Sequence, residues 1–188
     1  MPNTTRSRAD AGARATLVAS ETKFRGRIVT ANVEVVDLPG GHRATLAITP
    51  PPGGAAAVAL DEGHVVCLLR QYRHAAGGWI RELPAGKLEP GEAPLLTAQR
   101  ELVEEAGTRA AQWSALGTML SSPGVLTETV HLFLATGLEA TEAQPEAGEV
   151  LSVEWLALDE ACRLALDGTI DDAKTCVGLL LAAARLGM

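Results

Sequence analysis

Three cysteines, Cys67, Cys162 and Cys176, are all that 188 residues contain. The number is odd and each lies in an apolar stretch. That excludes a disulfide frame and a cysteine-ligated zinc site, and puts reduced thiols in the core of a cytoplasmic protein. Aromatic residues are also few: three tryptophans, one tyrosine and two phenylalanines. So few rings do not make a stacking platform for single-stranded nucleic acid. Positive charge is short, with 16 Lys and Arg against 23 Asp and Glu and a net charge of −7. Such a balance excludes a nucleic-acid polymer as partner, because phosphate backbones need a basic surface. A small anion met by a local arginine cluster stays open. No apolar run suffices for a bilayer, and the longest, "CVGLLLAAA", falls well short of the ~20 residues needed. The first residues carry no apolar core of a secretion signal. The expectation is therefore a cytoplasmic protein without membrane contact.

Local chemical motifs are mostly missing as well. The four histidines, His42, His64, His74 and His131, show no metal-ligand spacing. "GK" at 86–87 lacks the leading glycine and the Ser/Thr of a phosphate-binding loop. Ser121 and Ser122 sit in no nucleophile elbow.

What is present is an ordinary globular composition, 47% hydrophobic and 21% charged. The length suits one domain with a small appendage. Residues 1–20 are polar and poorly patterned, which predicts a flexible tail. "KFRGRIVTANVEVVDLPGGHRATLAITP" reads as two or three strands of a small N-terminal antiparallel sheet spanning 21–52, with "PGG" as a turn. "PPPGG" at 50–54 breaks the chain and starts a main domain over 53–188. Strands are expected at "AAAVAL", "VVCLLRQYR", "WIRELPAG", "VHLFLATGL" and "VLSVEWLAL". Helices are expected after Pro94, at "DEACRLALDG", and from Asp171 to Leu186 with an aspartate as N-cap. Helices interrupting a mixed set of strands predict an α/β/α sandwich.

The stretch "GKLEPGEAPLLTAQRELVEEAG", residues 86–107, carries the chemistry. Pro94 suits a first helical turn and Gly107 the position just past the last. At about 100° per residue, Glu101 and Glu105 lie one turn apart on one face, and Glu104 falls beside them. Leu95, Leu102 and Ala106 gather on another side as the buried stripe. The carboxylates are thus expected along an exposed edge, with Arg100 four residues from Glu104 and able to orient it. Glu92, in the loop ahead, can fold back toward the helix. Like charges this close raise one another's pKa unless a cation sits among them, and a hard divalent cation is the natural one.

The string Gly86, Glu92, Arg100, Glu101, Leu102, Glu104, Glu105, Gly107 resembles the Nudix hydrolase signature at every charged and glycine position. Thr108 departs from it, standing where that family usually has an aliphatic residue. The resemblance implies an α/β/α sandwich and Mg²⁺-dependent hydrolysis of a nucleoside diphosphate linked to another group, with Mn²⁺ or another divalent cation as a substitute. It implies metal ligands at Glu101, Glu105 and the Ala85 carbonyl, with Glu104 a further candidate, while Glu92 and Arg100 hold loop and helix together.

"RQYR" at 70–73, "RELPAG" at 81–86 and Pro123 in "SSPG" resemble the ADP-ribose pyrophosphatase subfamily, over roughly residues 22–186. That likeness implies a nucleoside diphosphate sugar as partner, ADP-ribose split to AMP and ribose 5-phosphate, with Arg73, Glu82, Ser122 and Glu128 at the substrate. It also implies a homodimer in which Arg27 and Ile28 reach the partner's adenine site. The base that activates water is then expected in the loop "EATEAQPEAGEV", at Glu146 or Glu149 ahead of Glu142, with Glu104 next in line. Two other functions stay open: a pyrophosphatase of GDP-mannose or another nucleotide sugar, which shares much of the N-terminal and S-P-G pattern, and a nucleotide sensor without catalysis. An undamaged signature with no added DNA-binding module argues against the sensor.

Overall fold

The structure, a computed structural model, describes residues 13–145 and 148–188. The chain divides into two compact units, one reaching to Pro51 and including Ser122–Thr127, the other Pro52–Ser121 with Glu128–Met188.

The first unit is a three-stranded antiparallel sheet in the order β1-β2-β3, made of β1 (Thr16–Arg25), β2 (Thr30–Asp37) and β3 (Arg43–Ile48). Strand β1 starts inside the span expected to be a tail. Thr16 pairs with Asp37, Leu17 with Val36 and Ser20 with Glu34, so β2 supplies the order that local composition does not announce. The β2–β3 turn closes with Leu38 N–H donating to the His42 carbonyl at 2.8 Å, and Gly40 and Gly41 take its positive φ angles of 93° and 83°. Residues 122–127 join this unit through the Thr49 N–H, which donates to the Val125 carbonyl at 2.8 Å.

The second unit holds two sheets and three helices. Strands β4 (Gly54–Ala59), β5 (Val65–Arg73), β6 (Gly78–Glu82), β7 (Ala85–Lys87), β8 (Thr108–Leu120), β9 (Thr129–Ala140) and β10 (Leu151–Ala157) arrange as β10-β5-β6 and β7-β4-β9-β8. The second sheet is mixed, since β4 and β9 run parallel and its other pairs antiparallel. Helices are α1 (Pro94–Ala106), α2 (Leu158–Leu166) and α3 (Ala173–Leu186).

Strand β4 is buried throughout, which is why its sequence is an unbroken apolar run. Its Ala56 and Val58 pack with Leu158 of α2 and Leu179 of α3. The alternate residues Ala57 and Ala59 pack with Leu102 of α1. One helix on one face and two on the other make the expected α/β/α sandwich.

Two expectations are corrected. "WIRELPAG" is not one strand: the chain leaves one sheet after Glu82 and enters the other at Ala85. Pro84 has no N–H to continue a ladder, and its carbonyl instead accepts the Ala57 N–H at 2.9 Å. The long strand β8, pairing with β9 along nearly its whole length, was not anticipated. It is mostly exposed and its only β-branched residues are two threonines, so neither β-branched composition nor clean alternation signals it.

Candidate active site

Helix α1 begins with Pro94 in its first turn and ends at Gly107, whose φ of 57° and ψ of 39° form a left-handed cap. Its buried residues are Thr97, Ala98, Glu101, Leu102 and Glu105. Of the three carboxylates expected on an exposed edge, Glu104 stays partly open and two are inside: Glu101 is 9% exposed and Glu105 only 2%. Strand β7 covers them. A Cβ on Gly86 would stand 1.7 Å from Glu101 Oε1, so only glycine lets the backbone run over that carboxylate. One residue earlier, the Ala85 N–H donates to Glu105 Oε2 at 2.8 Å. At the other end of the helix, a Cβ on Gly107 would come within 2.9 Å of the Thr141 carbonyl. The loop that precedes β10 docks there, with Thr141 N–H donating to Gly107 O and Gln144 N–H to Glu104 O. Thr108 is buried, and its hydroxyl donates to the Ala106 carbonyl, which satisfies the one polar departure from the signature.

Arg100 ties these parts together. Its Nε and Nη2 donate to the two oxygens of Glu92 at 3.1 Å each. Its Nη1 donates to Glu101 Oε1 at 2.7 Å and to Glu104 Oε2 at 3.0 Å, and Nη2 reaches the Lys87 carbonyl at 3.3 Å. Glu92 also accepts from Thr97 Oγ1 and the Glu89 N–H. Hydrogen bonds from Arg100, then Thr97, then Glu89 hold the Glu92 carboxyl down at about 2. One guanidinium thus fastens loop, strand and helix.

The other acids are pushed the opposite way. Burial raises the Glu105 carboxyl to about 8, the charges of Glu101 and Glu149 add to the rise, and the Ala85 N–H and Arg73 oppose it. Burial also raises Glu101 against the pull of Arg100, with Glu104 and Glu149 contributing. Glu149 is felt by Arg73 too, so the structure brings it within electrostatic reach of all three groups. Among the described residues, no three acidic, histidine or cysteine side chains stand ready as a closed ligand set. The cation among the acids is Arg100. The donor set nevertheless fits a hard divalent ion, since Glu101 and Glu105 are buried, mutually repelling oxygen donors and Arg100 is bonded to Glu101 alone of the two.

Arg73 stands at the end of β5, with Nε donating to Glu82 Oε1 at 2.6 Å and Nη2 to Oε2 at 3.3 Å. Glu82, expected at the substrate, is 2% exposed, and both its oxygens are engaged, by Arg73 and by Lys174. Gln71, two residues before Arg73 and on the same strand face, is buried, and its Oε1 has no hydrogen-bond partner among the described residues.

Arg27 and Ile28 lie in the exposed turn between β1 and β2, and Ser122 accepts from the N–H groups of Val125 and Leu126 in a turn of that same unit. Glu128 is half-buried just ahead of β9, and Glu142 is exposed in the loop before β10. Glu146 lies outside the described residues. Sequence reasoning missed Lys174 as a partner of Glu82, although the aspartate expected to cap the last helix sits two residues before it. The capping residue is Asp172.

In this mixed-sheet α/β/α sandwich, two glutamates of one helix lie buried under a glycine of the preceding strand with a third glutamate alongside, so that carboxylate oxygens gather at one point. The chain belongs to the NUDIX family, whose domain matches residues 50–176. Members of that family work with divalent cations. A curated relative, "ADP-ribose pyrophosphatase" of Bacillus subtilis (strain 168), is 38% identical over 84% of this chain and 86% of its own. "Methanol dehydrogenase activator" of Bacillus methanolicus is 37% identical over 86% of this chain and 89% of its own. A solved structure titled "Crystal structure of ADP compounds hydrolase" superposes with a TM-score of 0.80, covering 93% of this chain and 95% of that one, at 22% identity. The last likeness is one of fold.

Proposed function

We propose that this enzyme hydrolyses the pyrophosphate bond of ADP-ribose, giving AMP and ribose 5-phosphate, in the cytoplasm and with Mg²⁺ as its ion. The observation that carries the reading is the convergence of Glu101, Glu105 and Glu149 with Arg73, in a chain 38% identical to an ADP-ribose pyrophosphatase. Glu101, Glu105 and the Ala85 carbonyl would hold Mg²⁺, which when bound neutralises phosphate charge and acidifies water. Arg73 offers a planar fork to the diphosphate. Glu149, the loop acid whose charge reaches the site, accepts the proton of the attacking water; Glu146, which lies outside the described residues, is the alternative, and Glu104 comes next. The water oxygen bonds to one phosphorus, the bridging P–O bond breaks, and the leaving phosphate departs with its sugar or nucleoside.

Purified protein with Mg²⁺ is expected to release AMP from ADP-ribose faster than it turns over GDP-mannose, and to lose this activity to a chelator. Chelator-insensitive turnover would remove the ion from the reading. GDP-mannose as the far better substrate would replace ADP-ribose.

A further inference from the structure

Asp172 does more than cap α3. Its Oδ2 accepts from the Thr175 N–H at 3.0 Å and from the Thr175 hydroxyl at 2.6 Å. That hydroxyl in turn accepts from the Leu83 N–H at 2.8 Å, pinning the chain where it passes from β6 to β7. The same Asp172 oxygen accepts from Lys174 Nζ at 3.0 Å, and Lys174 donates onward to Glu82 Oε2. Glu82 carries Arg73. A continuous run of contacts therefore leads from the N-terminus of α3 to the arginine that feels the charges of Glu105 and Glu149.

The charges along that run explain why a lysine is there. Glu82 is 2% exposed, whereas the Arg73 side chain is 42% exposed, so one end of Arg73 is anchored inside and the rest is open. With Glu82 as its only partner, Arg73 would have its charge cancelled at short range. Lys174 shares Glu82, and Asp172 balances Lys174. The four groups sum to zero with Lys174 and to one negative charge without it.

We infer that Lys174 is a positioning residue, which takes up part of the Glu82 charge so that Arg73 meets the substrate diphosphate as a cation. This rests on the reading of Arg73 as a diphosphate contact. Lys174 touches no reacting atom, so its loss weakens substrate binding and spares the chemical step.

The test uses Lys174→Met, Lys174→Gln and Lys174→Arg in the full chain, with Arg73→Ala as reference. Steady-state kinetics on ADP-ribose would be joined by calorimetric binding of ADP-ribose in EDTA, where no turnover occurs. Lys174→Met and Lys174→Gln are expected to raise KM and the dissociation constant about tenfold, with kcat within about twofold, and Lys174→Arg to restore both constants within about threefold. Restoration by glutamine as well as by arginine would show that a hydrogen bond suffices and overturn the charge argument. Unchanged KM in Lys174→Met, while Arg73→Ala raises it, would overturn the role of Lys174 alone. If Arg73→Ala left KM and affinity unchanged, the diphosphate reading of Arg73 would fall first. Should Lys174→Met not fold, the glutamine variant, which keeps a donor for both carboxylates, carries the comparison.

Discussion

Glu105 is a carboxyl whose burial has turned it into a group that holds its proton near neutrality. Its value rises from an ordinary 4.5 to about 8 in the folded chain. The folded state thus binds the proton more tightly than the unfolded one. The stability this contributes is complete below about 4.5 and is lost as pH rises through about 8. The metal-free protein is expected to lose on the order of a few kcal/mol of stability between pH 5 and pH 8, and to melt at progressively lower temperature. Mg²⁺ is expected to recover more of the melting temperature at pH 8 than at pH 5, because it favours the ionised carboxylate. Glu105→Gln would flatten that pH dependence and lower turnover at least ~10²-fold. Calorimetric melts across pH, with and without EDTA, decide it; a profile that Glu105→Gln does not change would assign the slope elsewhere. Gly86→Ala tests the neighbouring contact. Its added Cβ has no room beside Glu101 Oε1, so Glu101 must swing away. A misplacement of about 1 Å can cost ~10²-fold, and kcat/KM is expected to fall on that scale with the circular-dichroism spectrum retained. Wild-type kinetics in Gly86→Ala would mean that the Glu101 position does not matter to the reaction.

At the scale of elements, the site is a junction of β7, α1 and the loop before β10. The loop is held at its start, where Thr141 and Gln144 donate to the carbonyls that end α1. Gly107 permits this docking, since a side chain there would meet the loop backbone. A loop anchored in this way carries Glu149 into the field of Glu101, Glu105 and Arg73. Removing a positioned base costs ~10²–10⁴-fold, so Glu149→Gln is expected to lower kcat by that factor while ADP-ribose affinity in EDTA changes little. Single-turnover rates make the measurement independent of product release. Normal rates in Glu149→Gln would transfer the role to Glu146, and normal rates in the double variant to Glu104, whose carboxylate is bonded to Arg100.

At the scale of the whole molecule, the first unit raises the question of assembly. A three-stranded sheet of this size has little core of its own, and β1 is exposed along its full length. Leu17, Phe24 and Ile28 are each more than half exposed. We propose that this sheet packs against a second copy, with Arg27 and Ile28 reaching the partner's substrate site. Light scattering is expected to report a dimer at micromolar concentration, and Ile28→Asp to shift it toward monomer with a higher KM for ADP-ribose. A fully active monomer would exclude the shared site.

Much of this protein was legible in the order of its residues. The apolar run of β4, the proline-to-glycine span of α1 and the spacing of Glu92, Arg100, Glu101, Glu104 and Glu105 are local properties. Helical periodicity alone brings Glu101, Glu104 and Glu105 together, and the signature they form with Glu92 and Arg100 is specific enough to indicate the family. The residues that no local pattern could assign are those whose meaning comes from a distant partner. Strand β8 is a strand because β9 offers it a ladder, and Thr16–Ser20 is ordered because β2 does the same. Periodicity placed Glu101 and Glu105 at an edge, but β7 arrives from outside the helix and buries them, and burial is what raises their proton affinity. Lys174 meets Glu82 from 92 positions away. Hydrophobic pattern and capping act within a few residues, whereas desolvation and ion pairing depend on what the fold brings alongside.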